Sequence, residues 1–232
     1  MSSVPGNLHH VRERIVRACA AAGRPVQAVT LLAVSKTFGA DAVREAVAAG
    51  QTAFGENYVQ EALTKIAALA DLRSGLQWHL IGPLQSNKTR AVAEAFDWVH
   101  SLDRLKTAQR LSEQRPLGMP PLQVCLQVNI SGEASKSGLM PGDVLPLAQA
   151  VAALPGLRLR GLMAVPKPAA DSVAQRAPHR ALHELLASLN ASGLALDTLS
   201  MGMSADLEAA ITEGATLVRI GTAIFGGRTA LT

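Results

Sequence analysis

Short apolar runs alternate with amphipathic helical stretches almost from end to end, and this alternation limits the fold more than any other feature of the chain. The runs fall at residues 30–36, 52–55, 77–82, 98–101, 122–129, 157–165, 196–200 and 216–220. Strands joined through helices lie parallel, with the helices covering the sheet. Eight such units in 232 residues predict an α/β fold, a closed (β/α)8 TIM barrel formed as a single domain over residues 1–232. An extra helix stands in front, with Leu8, Val11, Ile15, Ala18, Cys19 and Ala22 on one face and a stop at Gly23. A doubly wound open sheet gives the same alternation, and both folds bind ligands at the carboxyl ends of their strands.

Several connections carry local signals. Asp41 is positioned to cap a helix that stops at Gly50, and Asn57 to cap one bearing Val59, Ala62, Leu63, Ile66 and Leu69. Residues 166–178 form a low-complexity stretch that reads as the longest loop, an insertion or a flap.

Apolar residues make up 48% and charged residues 17%, in short runs, so the expectation is a globular protein without membrane association. The first seven residues lack a positive segment followed by an apolar one, so no secretory leader is expected and the predicted location is cytoplasmic. Cys19 and Cys125 lie far apart without metal-ligand spacing and read as buried, reduced thiols. The formal charge is +4, but the basic residues are scattered and aromatics reach only 3%, which argues against a nucleic-acid surface.

The polar residues at the strand ends are Lys36, Glu56, Asn57, His79, His100, Asn129, Ser131, Ser200, Ser204, Arg219, Gly221 and Thr222. In a closed barrel they ring one mouth. A lysine at the end of an apolar strand can act as an amine nucleophile, although a lysine extending to solvent leaves the same pattern. After the seventh and eighth strands the chain reads Ser200-Met201-Gly202-Met203-Ser204 and Gly221-Thr222. Glycines that admit backbone N–H groups and hydroxyls that donate suit a phosphate, and ordinary turn capping suits the same residues.

A nucleophilic lysine opposite a phosphate cradle points to a phosphorylated carbonyl compound, and pyridoxal 5'-phosphate (PLP) is the carbonyl cofactor that pairs with a lysine. Arg219, two residues before the second cradle, is then positioned to donate to the pyridine nitrogen. A donor of that kind keeps the ring nitrogen unprotonated and weakens it as an electron sink. Such a site favours holding the cofactor over carbanion chemistry.

Five ordered blocks carry a specific resemblance: Ala33 to Lys36, Phe54 to Glu61, Trp78 to Lys88, Ser200 to Ser204, and Val218 to Gly226. Together they closely resemble the pyridoxal phosphate homeostasis protein family across nearly the whole chain. The resemblance implies a barrel like the N-terminal domain of alanine racemase, without that enzyme's C-terminal β domain. It implies a non-catalytic role in vitamin B6 balance, carrying or buffering PLP, with PLP-dependent apoenzymes as recipients. By the same resemblance Lys36 forms the Schiff base, Asn57 lies beside the ring and Arg219 faces its nitrogen. Ser200, Met201, Ser204, Gly221 and Thr222 belong to the cofactor-binding set, and Lys136 takes part in transient handling.

An amino-acid racemase is the main rival, but two-base racemization needs a second acid/base, and the only tyrosine is Tyr58. A nucleic-acid or protein binding module is the other, resting on Lys88 and Arg90, which read as a solvated face. His179 and His183 are four apart without the rest of a zinc motif and read as a surface pair, while residues 131–138 lack the glycine of a nucleotide loop. No metal is expected. With no long apolar stripe left unassigned, a monomer is expected.

Overall fold

The computed structural model describes residues 3–133, 136–169 and 171–227. Eight parallel strands close into a barrel in sequence order: β1 (Thr30–Val34), β2 (Ala53–Glu56), β3 (Gln77–Leu80), β4 (Trp98–Leu102), β5 (Leu122–Gln127), β6 (Leu157–Met163), β7 (Thr198–Ser200) and β8 (Leu217–Ile220). Closure is made by β1 against β8, with Leu32 level with Arg219 and Ala33 with Ile220. The open-sheet alternative is therefore ruled out.

Around the barrel lie α1 (Val4–Ala21), α2 (Ala40–Ala48), α3 (Val59–Ala68), α4 (Thr89–Ala95), α5 (Leu105–Gln114), α6 (Val144–Ala152), α7 (Ser172–Ala191), α8 (Leu207–Thr212) and α9 (Thr222–Phe225). The main core fills the layer between sheet and helices, including Leu8, Val11 and Ile15 of α1, Phe54, Trp78 and Leu126. A separate small cluster of Leu32, Ala53 and Leu217, with Ile81 against it, lies on the face that Leu32 shares with Arg219. Level residues on adjacent strands project to the same side, so this inner face is apolar below and polar above. Both cysteines are buried free thiols.

Four local expectations change. The expected loop 166–178 ends early, because α7 starts at Ser172 with the Asp171 carboxylate accepting from the Ala174 N–H at 2.8 Å. Pro178 sits inside this helix, and the alanine-rich sequence around it is a good helix former despite the lost backbone donor. Gly39, not Asp41, occupies the cap of α2, and Asp41 instead lies in the first turn, where its charge suits the helix dipole. Tyr58, not Asn57, occupies the cap of α3 without a side-chain bond.

His179 is fully buried, so the expected surface pair of histidines is not formed. Its ring Nε2 lies 2.9 Å from Asp206 Oδ2, inside the turn after β7. Met1, Ser2, Ala134, Ser135 and Ala170, which belong to the leader, nucleotide-loop and long-loop readings, lie outside the described residues. Among the described residues no helix is long and apolar enough to cross a membrane, and no group of three metal-ligating side chains forms.

Candidate functional site: a cationic cavity at the barrel mouth

At the carboxyl ends of β1, β2 and β8 the barrel opens into a cavity of about 580 Å3. Lys36, Asn57, Ser204, Arg219, Gly221 and Thr222 all line it, so six of the residues singled out in the sequence come together. Apolar walls come from Val34, Phe38, Ile81 and Val165. A cavity of this size suits a small aromatic ligand.

Lys36 continues the strand parity of Leu32 and Val34 one step beyond β1, and this carries it into the mouth. Among the described residues it has no ion-pair or hydrogen-bond partner. Both of its chain neighbours are pinned. The Ser35 hydroxyl donates to Glu56 Oε1 at 2.6 Å, and the Thr37 N–H donates to Glu61 Oε1 at 2.6 Å. Thr37 adopts φ +69°, a left-handed conformation that is strained for a β-branched residue. A turn held by two carboxylates is thus placed at the candidate nucleophile.

Asn57 reaches the cavity because it is free of capping duty. Its Oδ1 is buried without a protein partner. Gly82 makes this placement possible, since a Cβ there would overlap the Asn57 backbone. An unpaired acceptor beside a cavity is a place where a ligand donor fits.

Arg219 is 5% exposed and has no carboxylate within ion-pair distance among the described residues. Nη1 donates to the Ser200 carbonyl at 2.5 Å and to Ser200 Oγ at 2.8 Å, and Nη2 donates to the Ala164 carbonyl at 2.8 Å. The Nε–H and one Nη2 hydrogen remain for an acceptor in the cavity. Burial pulls the guanidinium down to about 10, with Asp206 partly opposing it, so the group stays cationic at neutral pH. With Lys36 it makes the cavity cationic.

The two glycine-bearing turns form one wall. Gly202 has φ +93°, and a Cβ there would come 2.5 Å from the Ala210 side chain, so the turn after β7 requires glycine twice over. Backbone N–H groups of Ser204, Ala205 and Gly221 donate to no protein acceptor among the described residues, in keeping with an anion site. The extra N-terminal helix braces both turns. Arg14 donates to the Ser204 carbonyl at 3.0 Å, and Asn7 to the Ile224 carbonyl at 2.8 Å.

Ser200 and Met201 are not brought to the cavity. Both are fully buried. Ser200 lies behind Arg219, with its hydroxyl occupied by the guanidinium and by His100, so it backs the arginine and does not line the cavity. Tyr58 is 55% exposed and does not line the cavity. Lys136 bonds to the Val165 carbonyl at 3.2 Å and lies outside the lining. Sequence reasoning missed Lys65, Glu61 and Asp206 altogether. Their partners are set by three-dimensional folding, although the spacing of Glu61 and Lys65 on one helix face was visible.

The chain matches the family model described as alanine racemase, N-terminal domain, over residues 7–229. It is 66% identical over 228 residues to the pyridoxal phosphate homeostasis protein of Pseudomonas aeruginosa, covering 98% of this chain and 97% of that one. It is 54% identical to the protein of the same name from Escherichia coli K12, covering 98% of both chains. Among solved structures, PipY of Synechococcus elongatus, determined with PLP bound, superposes with a TM-score of 0.79 at 40% identity, over 91% of this chain and 100% of that one. With its closed barrel and this degree of likeness, the chain belongs to the alanine racemase N-terminal domain family and, within it, to the pyridoxal phosphate homeostasis proteins.

Proposed function

We propose that this chain works inside the cell as a single-domain monomer that binds pyridoxal 5'-phosphate in the cationic cavity and holds it for delivery to apoenzymes. One observation carries the reading: an unpaired lysine amine, a buried arginine without a carboxylate partner and a set of unpaired backbone donors share one cavity. Pyridoxal phosphate brings an electrophilic aldehyde, an acceptor ring nitrogen and a phosphate. Lys36 matches the aldehyde, Arg219 the ring nitrogen, and Ser204, Gly221 and Thr222 the phosphate. Asn57 Oδ1 supplies an acceptor at the ring. The bound PLP named for PipY and the names of the close relatives support the same assignment. Monomeric behaviour is supported by the scatter of the larger exposed apolar side chains, such as Val16, Leu105, Leu117 and Val173, over separate elements.

Holding is favoured over turnover by what the lining lacks. Among the described residues the titratable side chains that line the cavity are Lys36 and Arg219, with no carboxylate, histidine, cysteine or tyrosine. Racemization needs an acid/base on each face of the carbanion, and among the described residues the lining offers the lysine as its one candidate.

The test is uptake of pyridoxal phosphate by the purified protein, followed by visible absorption, borohydride reduction and mass mapping of the adduct. Label on Lys36, lost in Lys36→Ala, is the expected result. No uptake, or an adduct on another lysine, defeats the binding reading. Racemization of an amino acid at enzyme-like rates, abolished by Lys36→Ala, defeats the holding reading.

A further inference from the structure

Behind Arg219 runs a polar chain that never reaches the cavity. Ser200 Oγ, 2.8 Å from Arg219 Nη1, is also 2.8 Å from His100 Nδ1, and His100 Nε2 is 2.9 Å from His79 Nδ1. These residues come from β7, β4 and β3, and none is more than 1% exposed. His79 ends the chain, stacked on Trp98 with ring centroids 5.2 Å apart, and its Nε2 has no partner.

The positions of the hydrogens follow from counting. A guanidinium only donates, so Ser200 Oγ accepts from Arg219. If the hydroxyl then donates to His100 Nδ1, His100 Nε2–H donates to His79 Nδ1, and the one unpaired group is His79 Nε2–H. Running the chain the other way leaves two unpaired groups, the Ser200 hydroxyl hydrogen and the His79 Nε2 lone pair. Buried polar groups without partners are costly, so the first arrangement prevails. Burial also keeps both rings uncharged, pulling His79 down to about 3 and His100 well below its ordinary value, with His79 and Arg219 adding to the effect on His100.

We propose that Ser200, His100 and His79 form a one-way hydrogen-bond relay that holds the Arg219 guanidinium in the orientation in which its free N–H groups face the cavity, where a pyridine nitrogen would accept from them. The proposal rests on the reading of the cavity as a PLP site. All three are positioning residues. Every hydrogen in the relay points away from the arginine, so none of the three can pass a proton toward the ring. The relay thereby keeps the donor of the site in place from behind.

The test uses the full chain labelled with 15N-histidine, with and without pyridoxal 5'-phosphate carrying a 15N ring nitrogen. His79 and His100 are expected as neutral Nε2–H tautomers from about pH 6 to 8, and the ligand nitrogen at an unprotonated shift. Ser200→Ala removes the hydroxyl that sets the direction. It should let the two rings exchange tautomers, move the ligand nitrogen shift and speed ligand release about tenfold.

An Nδ1–H tautomer or a charged ring in the parent protein overturns the relay, as does a Ser200→Ala protein with unchanged ring and ligand shifts. If that variant does not fold, the tautomers of the parent decide. Failure of the parent to take up ligand overturns the cavity reading and this proposal together. Uptake with the wrong tautomers overturns the relay alone.

Discussion

Lys65 Nζ lies 2.7 Å from Glu56 Oε1 with both side chains almost completely buried, at 5% and 0% exposure. The same amine is 2.7 Å from Glu61 Oε1 and 2.7 Å from the Ser35 carbonyl. One lysine therefore ties together the two carboxylates that grip the residues on either side of Lys36. The ion pair fixes where the candidate nucleophile stands.

Replacing Lys65 by Met should cost about 3 to 5 kcal/mol, because it strands a buried carboxylate. Burial already pushes the Glu56 carboxyl above its ordinary range, against the opposing influence of Lys65 and Ser35. In the variant it rises further, and a carboxyl with a raised folded pKa contributes stability below its unfolded value that is lost as pH rises. The deficit measured by urea unfolding should therefore be larger at pH 8 than at pH 5. A deficit independent of pH would mean that Glu56 does not titrate in this range. The double variant with Glu56→Gln should recover part of the loss, since the carboxylate that then lacks its lysine is Glu61, whose side chain is 30% exposed and not fully buried.

Thr37→Gly tests the strained turn. The φ of +69° costs a β-branched residue about 1 to 2 kcal/mol that glycine does not bear. The N–H bond to Glu61 survives the change. The expected outcome is a gain of about 1 kcal/mol in urea unfolding, after the greater chain entropy of glycine is set against the relief. A loss of stability would show that the turn is not strained.

Arg14→Ala tests whether α1 supports the anion wall. The ion pair of Arg14 with Glu208, whose side chain is 54% exposed, is worth less than about 1 kcal/mol, so global stability should barely move. The bond to the Ser204 carbonyl is lost with it. Titration with pyridoxal phosphate should show several-fold weaker binding, and titration with pyridoxal, which lacks the phosphate, no change. Equal weakening for both ligands would place the effect elsewhere.

The barrel was legible because its evidence is periodic: each strand is a short apolar run, and the longer helices repeat an apolar face over two or more turns. Lys36, Arg219 and the two glycine-bearing turns were legible because the fold places strand ends together at one mouth. Ser200 does not line the cavity, for a physical reason. It ends a strand like the other site residues, but Arg219 and His100 take up its hydroxyl, and sequence spacing carries no record of that competition. The Lys65 network was hidden for a similar reason, since an i, i+4 pair on a helix ordinarily faces solvent. Residues 166–178 misled through composition, where proline and low complexity suggested a loop and the Asp171 cap outweighed both.

The linked imidazoles of His79 and His100 should govern the first stage of acid destabilisation. Burial holds His79 at about 3, and an unfolded histidine titrates near 6.5. Between those values the unfolded chain binds a proton that the folded chain refuses, so stability falls as pH drops, by up to about 1.4 kcal/mol per pH unit for each ring. His100 is displaced in the same direction and adds to the slope. Asp206 acts later. Burial alone would raise its carboxyl, but the bonds from His179 and the Met203 N–H hold it below its ordinary value. Its contribution is therefore intact above about pH 4 and is lost only as pH falls below that. Urea midpoints taken at steps from pH 7 to 5 should fall steadily for the parent protein and less steeply for His79→Phe, whatever the variant's stability at pH 7. Parallel slopes for the two proteins would show that His79 takes up a proton inside the barrel, and would remove it as a source of the acid sensitivity.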